Sequence, residues 1–241
     1  MTAPKTAMVL AAGLGVRMRP ITDTMPKPLV KVAEKTLLDW GLDSLAEAGV
    51  ETAVVNVHYL PDQIVAHVAS RQRPKVVISD ERDGLLDSAG GIVKALETLG
   101  PEPFFILNAD TFWIDRGAPN LTRLAEAWDE ERMDILIMLS DLASATGHSG
   151  GIDFLRDSDG LLRRAAGALS GFIYAGAAIA HPKLFAGKRI EKTSLNRYFD
   201  DAIAVGRFFG MPLEGSWITV GTPDAIAPAE EAVRRARGER A

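Results

Sequence analysis

The sequence predicts an α/β protein: a doubly wound, mostly parallel sheet with a small β-rich subdomain in its C-terminal half. Three observations carry this. Short apolar, partly β-branched runs alternate with segments of helical period through the first 140 residues, the pattern of repeated β-α-β units. At 241 residues and 47% hydrophobic, the chain can bury one large core, or a main domain with an annex. After Ser140 the alternation gives way to short segments punctuated by glycines at 147, 150 and 151 and by Asp157-Ser158-Asp159-Gly160, which reads as a turn between short strands.

The elements follow in order. Residues 6–12 are an apolar run and the first strand. Residues 36–48 read as a helix, with Leu38, Leu42 and Leu45 near helical spacing and Gly49 ending it. Residues 52–57 are the next strand, 61–70 a helix opened by Pro61, and 76–79 a further strand. A helix is expected over 91–99, preceded by a turn at Gly90-Gly91. Residues 104–107 form a continuous apolar strand running into Asn108-Ala109-Asp110; 121–128 is helical and 135–139 a strand. Beyond Ser140, hairpins are expected to fold over the mouth of the sheet. Residues 172–180 then read as a strand, 195–205 as a helix, 207–211 and 217–220 as strands, and 224–237 as a closing helix, with Arg234, Arg235 and Arg237 suited to its C-terminal dipole. The expected organisation is an α/β core over 1–140, a small β-rich subdomain over 141–220 whose strands return to the core, and a C-terminal helix over 221–241. No internal repeat or low-complexity tract appears.

Bulk charge excludes some functions. Basic residues number 27 against 32 acidic, a net charge of -5, so no basic face for nucleic acid is expected and any phosphate must be met by a few placed cations. There is no cysteine, which removes disulfides, zinc-thiolate sites and thiol nucleophiles. The N-terminal residues lack the pattern of a signal peptide and no apolar run approaches a membrane span, so a cytoplasmic protein without a membrane partner is expected, as a monomer or homodimer. His58, His67, His148 and His181 show no metal-ligand spacing.

The chemistry concentrates in Leu10-Ala11-Ala12-Gly13-Leu14-Gly15-Val16-Arg17, followed by Pro26-Lys27-Pro28-Leu29. A glycine-rich turn directly after a first strand sits at the carboxyl edge of the sheet, where open α/β folds bind ligands. Gly13 and Gly15 let the backbone approach a phosphate or base. Arg17 offers forked donors, and Lys27, held between prolines, offers a point charge on a stiff segment. Met18 stands where a dinucleotide fingerprint needs glycine, and no Gly-Lys-Ser/Thr of a P-loop is present.

These motifs resemble the signature of the sugar nucleotidylyltransferase family. The likeness continues through Asp87-Ser88-Ala89-Gly90-Gly91-Ile92, Asn108-Ala109-Asp110, Ser170-Gly171-Phe172 with His181-Pro182, and Trp217-Ile218-Thr219-Val220-Gly221-Thr222-Pro223, nearly the whole chain. Within the family the sequence looks most like the uridylyltransferases acting on N-acetylmuramate-1-phosphate, with mannose-1-phosphate guanylyltransferases second. The resemblance implies a Rossmann-like nucleotidyltransferase fold and Mg2+-dependent transfer of a nucleotidyl group from an NTP, UTP first, to a sugar-1-phosphate. It implies Arg17 and Lys27 on the phosphates, Asp110 as metal ligand, and a nucleotide site at Leu10, Ala11, Ala12, Gly13, Gly15, Ser88, Gly90, Gly91 and Asn108. It places the sugar at Asp153, Gly171 and Asn196. Lys192 is a further residue that could face the sugar or phosphate, while Glu81 and Asp83 read as a solvated charge cluster.

One departure stands out. The family carries a second metal-binding aspartate in Trp-x-Asp-Val-Gly-Thr-Pro, and this chain has Thr219 there. A hydroxyl is a poor substitute for carboxylate on a hard divalent cation. Either Asp110, phosphates and water hold the metal, or Asp153 or Asp224 compensates, or the chain binds sugar nucleotides without turning them over.

Overall fold

The protein is described by a computed structural model over residues 3–238. Its first half is β1 (Thr6–Leu10), the short hairpin β2 (Lys31–Val32) and β3 (Lys35–Thr36), α1 (Leu37–Glu47), β4 (Thr52–Val57), α2 (Pro61–Val68), β5 (Lys75–Asp80), α3 (Asp87–Leu99), β6 (Phe104–Asn108), β7 (Thr111–Asp115), α4 (Asn120–Ala127) and β8 (Ile135–Ser140). Then come β9 (Ala145–Thr146), β10 (Phe154–Arg156), β11 (Leu162–Arg164), β12 (Ile173–Ala180), α5 (Leu195–Ala204), β13 (Phe208–Pro212), β14 (Gly215–Thr219) and α6 (Ile226–Ala236). Local chemistry sets several boundaries: the Thr36 hydroxyl accepts the Asp39 N–H at 3.0 Å to open α1, and Ser194 does the same for α5.

Seven strands form the main sheet in the order β13-β8-β12-β6-β1-β4-β5. All run parallel except β12, which is antiparallel to both neighbours. The expected doubly wound α/β fold is therefore present. Alternation along the strands divides the core: Ala7, Val9, Val55, Phe105 and Leu107 face one apolar layer, while Met8, Val54, Phe104 and Ile106 face the other. A third cluster packs β7 and β14 against α6 through Phe112, Ile218, Ala229 and Val233.

The structure adds one strand, moves the start of one helix and details the 141–220 segment. β7, which the sequence reading passed over, pairs antiparallel with β14, in the register Thr111↔Thr219, and a separate sheet β7-β14-β9 results. α3 starts at Asp87, four residues before the expected start, so Gly90 and Gly91 lie inside the helix and not in a turn ahead of it. Within 141–220, β12 and β13 belong to the main sheet, and the expected hairpin, β10 with β11, forms a two-stranded sheet of its own. Position 241 lies outside the described residues, as does the end of the expected C-terminal segment. Among the described residues no helix is long and apolar enough to cross a membrane.

Candidate active site

The carboxyl ends of β1, β4 and β6 converge on a cavity of about 480 Å3, at the edge where parallel sheets present their ligands. Its floor is the glycine-rich turn. The Ala11 N–H donates to Asn56 Oδ1 at 2.7 Å, and Asn56 Nδ2 donates to Glu81 Oε1 at 2.8 Å. Glu81 Oε2 in turn accepts the Leu86 N–H at 3.1 Å. Glu81 is 1% exposed and Asn56 2%, so this relay is internal, and the reading of Glu81 as a solvated charge is corrected. Its carboxylate is satisfied by an amide and a backbone donor, which ties the start of the turn to the loop leading into α3.

The same relay explains Gly91. A Cβ there would stand 2.7 Å from Glu81 Oε1 and 2.8 Å from Asn56 Nδ2. Gly90 faces the other way, where a Cβ would collide with the Glu191 carbonyl. Its N–H and that of Ala89 donate to the Thr193 carbonyl, at 3.2 and 2.9 Å, so the first turn of α3 is capped by the 191–193 segment. Neither glycine lines the cavity, and both are packed against protein, Gly91 against Glu81 and Asn56 and Gly90 against Glu191.

Gly13 differs from both. A Cβ on it would meet nothing within 4 Å, and it lies on the cavity wall with Leu10, Ala11 and Ala12. No protein contact requires glycine there, whereas a ligand approaching the backbone would. Gly15 has φ +63°, and its carbonyl accepts the Thr22 hydroxyl at 2.7 Å, which folds the following loop back and sets the path to Lys27. Arg17 sits exposed on the 3-10 turn Val16–Met18, beside Gly221 in the loop after β14. Among the described residues no carboxylate pairs with it. Neither Gly15 nor Arg17 lines the cavity itself.

Lys27 and Asp110 do, and they form an ion pair with Nζ 2.7 Å from Oδ2. Lys27 is 12% exposed and Asp110 37%, so the ammonium is the more enclosed partner. Ser88 and Asn108 line the cavity as expected, with Asp87 and Lys192 beside them. The Ser88 hydroxyl already accepts the Leu195 N–H at 2.8 Å.

A second cavity, about 350 Å3, adjoins the first and shares Leu10, Asp87, Ser88 and Asn108 with it. Two of the three residues expected for the sugar, Asp153 and Asn196, line this space. Gly171 does not: a Cβ there would stand 2.6 Å from the Phe154 carbonyl, and its place is under the hairpin. Sequence reasoning missed Arg164 and Tyr174, which also line the second cavity. Tyr174 precedes a shift in register between β12 and β8, with Gly176 at φ +79° in the shifted stretch, where a Cβ would collide with Thr111 Oγ1. A glycine inside an apolar strand was the available signal. Among the described residues the Tyr174 hydroxyl is buried without a hydrogen-bond partner; burial first, and the nearby Asp110 charge second, push its ionisation far above the ordinary range. Asn56, polar amid Thr52–Val57, was equally visible; nothing in the sequence pointed to Arg164.

Thr219 ends β14, opposite Thr111 and one residue before Val220, whose N–H donates to the Asp110 carbonyl at 3.1 Å. The departure thus falls on the strand next to Asp110. Asp153 Oδ2 accepts the Tyr174 N–H at 2.9 Å, and Asp224 lies exposed on the turn Pro223–Ala225. Among the described residues no group of three His, Cys, Asp or Glu side chains is placed to hold a metal ion. Asp110 offers a single carboxylate beside a cavity, a donor set suited to an ion that keeps several waters and takes the rest of its ligands from phosphate.

Comparison with known proteins agrees with this geometry. The profile of the MobA-like NTP transferase domain matches residues 7–192. Across 233 residues the chain is 44% identical to the N-acetylmuramate alpha-1-phosphate uridylyltransferase of Caulobacter vibrioides, covering 95% of this chain and 96% of that one. The enzyme of the same name from Neisseria meningitidis serogroup B is 35% identical over 230 residues, with coverage of 93% and 96%. Among solved structures, the inositol-1-phosphate CTP transferase from T. maritima superposes with a TM-score of 0.76 at 18% identity, over 100% of this chain and 99% of that one.

Proposed function

The chain belongs to the MobA-like NTP transferase family, within its sugar-1-phosphate nucleotidyltransferases, and from that premise we propose that it transfers uridylyl from UTP to N-acetylmuramate-1-phosphate with the help of Mg2+. The observation that carries this reading is the pair of adjoining cavities: one walled by the open glycine turn, Lys27 and Asp110, the other by Asp153, Arg164 and Asn196. The relatives that act on mannose-1-phosphate are more distant, which makes guanylyl transfer the weaker alternative.

In this reading the bond that forms joins an oxygen of the sugar phosphate to the α-phosphorus of UTP. The bond that breaks joins that phosphorus to the bridging oxygen of the β-phosphate, and pyrophosphate leaves. The nucleophile is already an anion, so no proton must be removed and no covalent enzyme intermediate is required. The obstacle is repulsion between two polyanions, and the chain's own contribution is positioning and positive charge. The backbone of residues 10–13 receives the nucleotide. Lys27 exchanges its contact with Asp110 for a phosphate oxygen, and Arg17, which has no acidic partner among the described residues, reaches the departing pyrophosphate. Asp110, released from Lys27, would hold Mg2+, which neutralises phosphate charge when bound. With Thr219 in place of a second carboxylate, Asp110 would hold the ion with help from substrate phosphate and water, so metal binding by the chain would depend on bound nucleotide.

The test is pyrophosphate release with Mg2+ across UTP, GTP, CTP, dTTP and ATP, each against a panel of sugar-1-phosphates. UTP with N-acetylmuramate-1-phosphate is expected to exceed every other pair at least tenfold. A stronger signal from GTP with mannose-1-phosphate would replace the proposed substrates, and silence from every pair would overturn the reading.

A further inference from the structure

The second cavity holds a single cation. Its carboxylates are Asp87 and Asp153, its other polar residues are neutral, and Arg164 alone is positive. Arg164 closes β11 opposite Phe154 of β10, and its guanidinium carbon lies 4.8 Å from the centre of the Phe154 ring. Nε donates to Asp200 Oδ1 at 2.7 Å, while Nη2 donates to the Asn196 carbonyl at 3.2 Å and to Asn196 Oδ1 at 3.0 Å. Three contacts and a ring face fix the plane of the group, and among the described residues Nη1 makes no hydrogen bond. A guanidinium held in plane with the N–H groups of Nη1 unused is prepared for an anion at that nitrogen. Asp200, 60% exposed, is well solvated and neutralises it only partly.

In the proposed reaction the phosphates fall to Lys27, in the first cavity, and to Arg17 outside it, so nucleotidyl transfer as such leaves this cation unassigned. The sugar supplies the missing charge. N-acetylmuramate differs from N-acetylglucosamine by a lactyl ether, which adds one carboxylate. Resting on the uridylyltransferase reading above, we propose that Arg164 determines sugar specificity by binding this carboxylate through its free Nη1 edge. Asp153 does not oppose it: one of its oxygens is held by the Tyr174 N–H, which leaves it to accept from sugar hydroxyls. A bland alternative is that Arg164 merely ties the β10–β11 hairpin to α5, and the two roles move different quantities.

The experiment measures binding of N-acetylmuramate-1-phosphate and N-acetylglucosamine-1-phosphate by calorimetry, with turnover on UTP read in parallel, for the wild type, Arg164→Met and Asp200→Asn. The wild type is expected to prefer the lactyl sugar. Loss of one charge-assisted contact in Arg164→Met should weaken that sugar about 10- to 100-fold, leave the other unchanged and so erase the preference. Asp200→Asn removes the ion pair of the hairpin tie but keeps the cation, and should retain the preference. Equal weakening of both sugars in Arg164→Met, a preference that survives it, or no preference in the wild type would each overturn the proposal. A preference in binding without any uridylyl transfer would sink the functional reading while leaving the role of Arg164 intact.

Discussion

Lys27 and Asp110 are 2.7 Å apart, and the proposed chemistry requires each to leave the other for a phosphate or a metal ion. Replacing Lys27 with Met should therefore raise the KM for UTP about 10- to 100-fold, the worth of one charge-assisted contact, with a smaller change in the KM for the sugar phosphate. Steady-state kinetics with each substrate varied in turn checks this; equal change in both would place Lys27 elsewhere in the cycle. Tyr174 invites the opposite expectation. Its hydroxyl is buried without a partner among the described residues, so Tyr174→Phe removes a desolvated polar group and should leave the melting temperature unchanged or raise it slightly, in a gain of about 1 kcal/mol at most. A clear fall in a thermal melt would show that the hydroxyl is bonded after all. At this scale the sequence exposed Lys27 and Asp110 because each sits in a short motif next to a strand end. Arg164 carries no such mark: only the fold of the hairpin over α5 brings it to the cavity.

Among the elements, α3 shows best how a local pattern misleads. Two successive glycines read as a break before a helix, yet the helix begins at Asp87, itself at φ +61°, and runs through both. The reason is tertiary: Gly91 makes room for the Glu81–Asn56 relay, and Gly90 for the backbone of Glu191. Packing outweighs the cost of about 1 kcal/mol that glycine carries in a helix. Gly91→Ala should thus destabilise the protein by about 1–3 kcal/mol through overpacking, despite the better helix propensity of alanine. It should also weaken UTP binding, because Asn56 holds the Ala11 N–H at the start of the glycine turn. Denaturant unfolding together with nucleotide titration reads both; a more stable variant would contradict the account. β7 escaped notice for a related reason: it follows β6 after only a two-residue turn, and its partner β14 lies a hundred residues further along the chain.

For the whole molecule, the alternation of apolar strands and helices was enough to give the class of fold, because burial on both sides of a parallel sheet writes itself into the sequence as continuous apolar runs. How the strands are shared between sheets was not legible, since pairing over such distances leaves no local trace. Acid stability is likewise a property of the assembled chain. Burial opposes ionisation of Asp134, but Lys183 and Arg207 outweigh it and hold its acidity constant below the ordinary 3.8; Lys35 and Arg71 do the same for Asp43. Burial, then Lys183, lowers His181 below its ordinary 6.5. In all three the unfolded chain takes up protons at higher pH than the folded one, so stability falls on acidification: first below about pH 6.5 as the unfolded chain protonates His181, then below about pH 3.8 as the carboxylates follow. Melting temperatures from pH 8 to pH 3 should decline in that direction, and a rise toward acid would contradict these assignments. The role proposed for Asp110 is to hold, alone among the carboxylates of the described residues, the metal that would support uridylyl transfer. Its most direct test is Mg2+-dependent formation of UDP-N-acetylmuramate and pyrophosphate from UTP and N-acetylmuramate-1-phosphate, in the wild type and in Asp110→Asn. The account predicts equimolar products from the wild type and a loss of about 100- to 1,000-fold in kcat for the variant, which should keep its fold. Turnover by Asp110→Asn at the wild-type rate would contradict it.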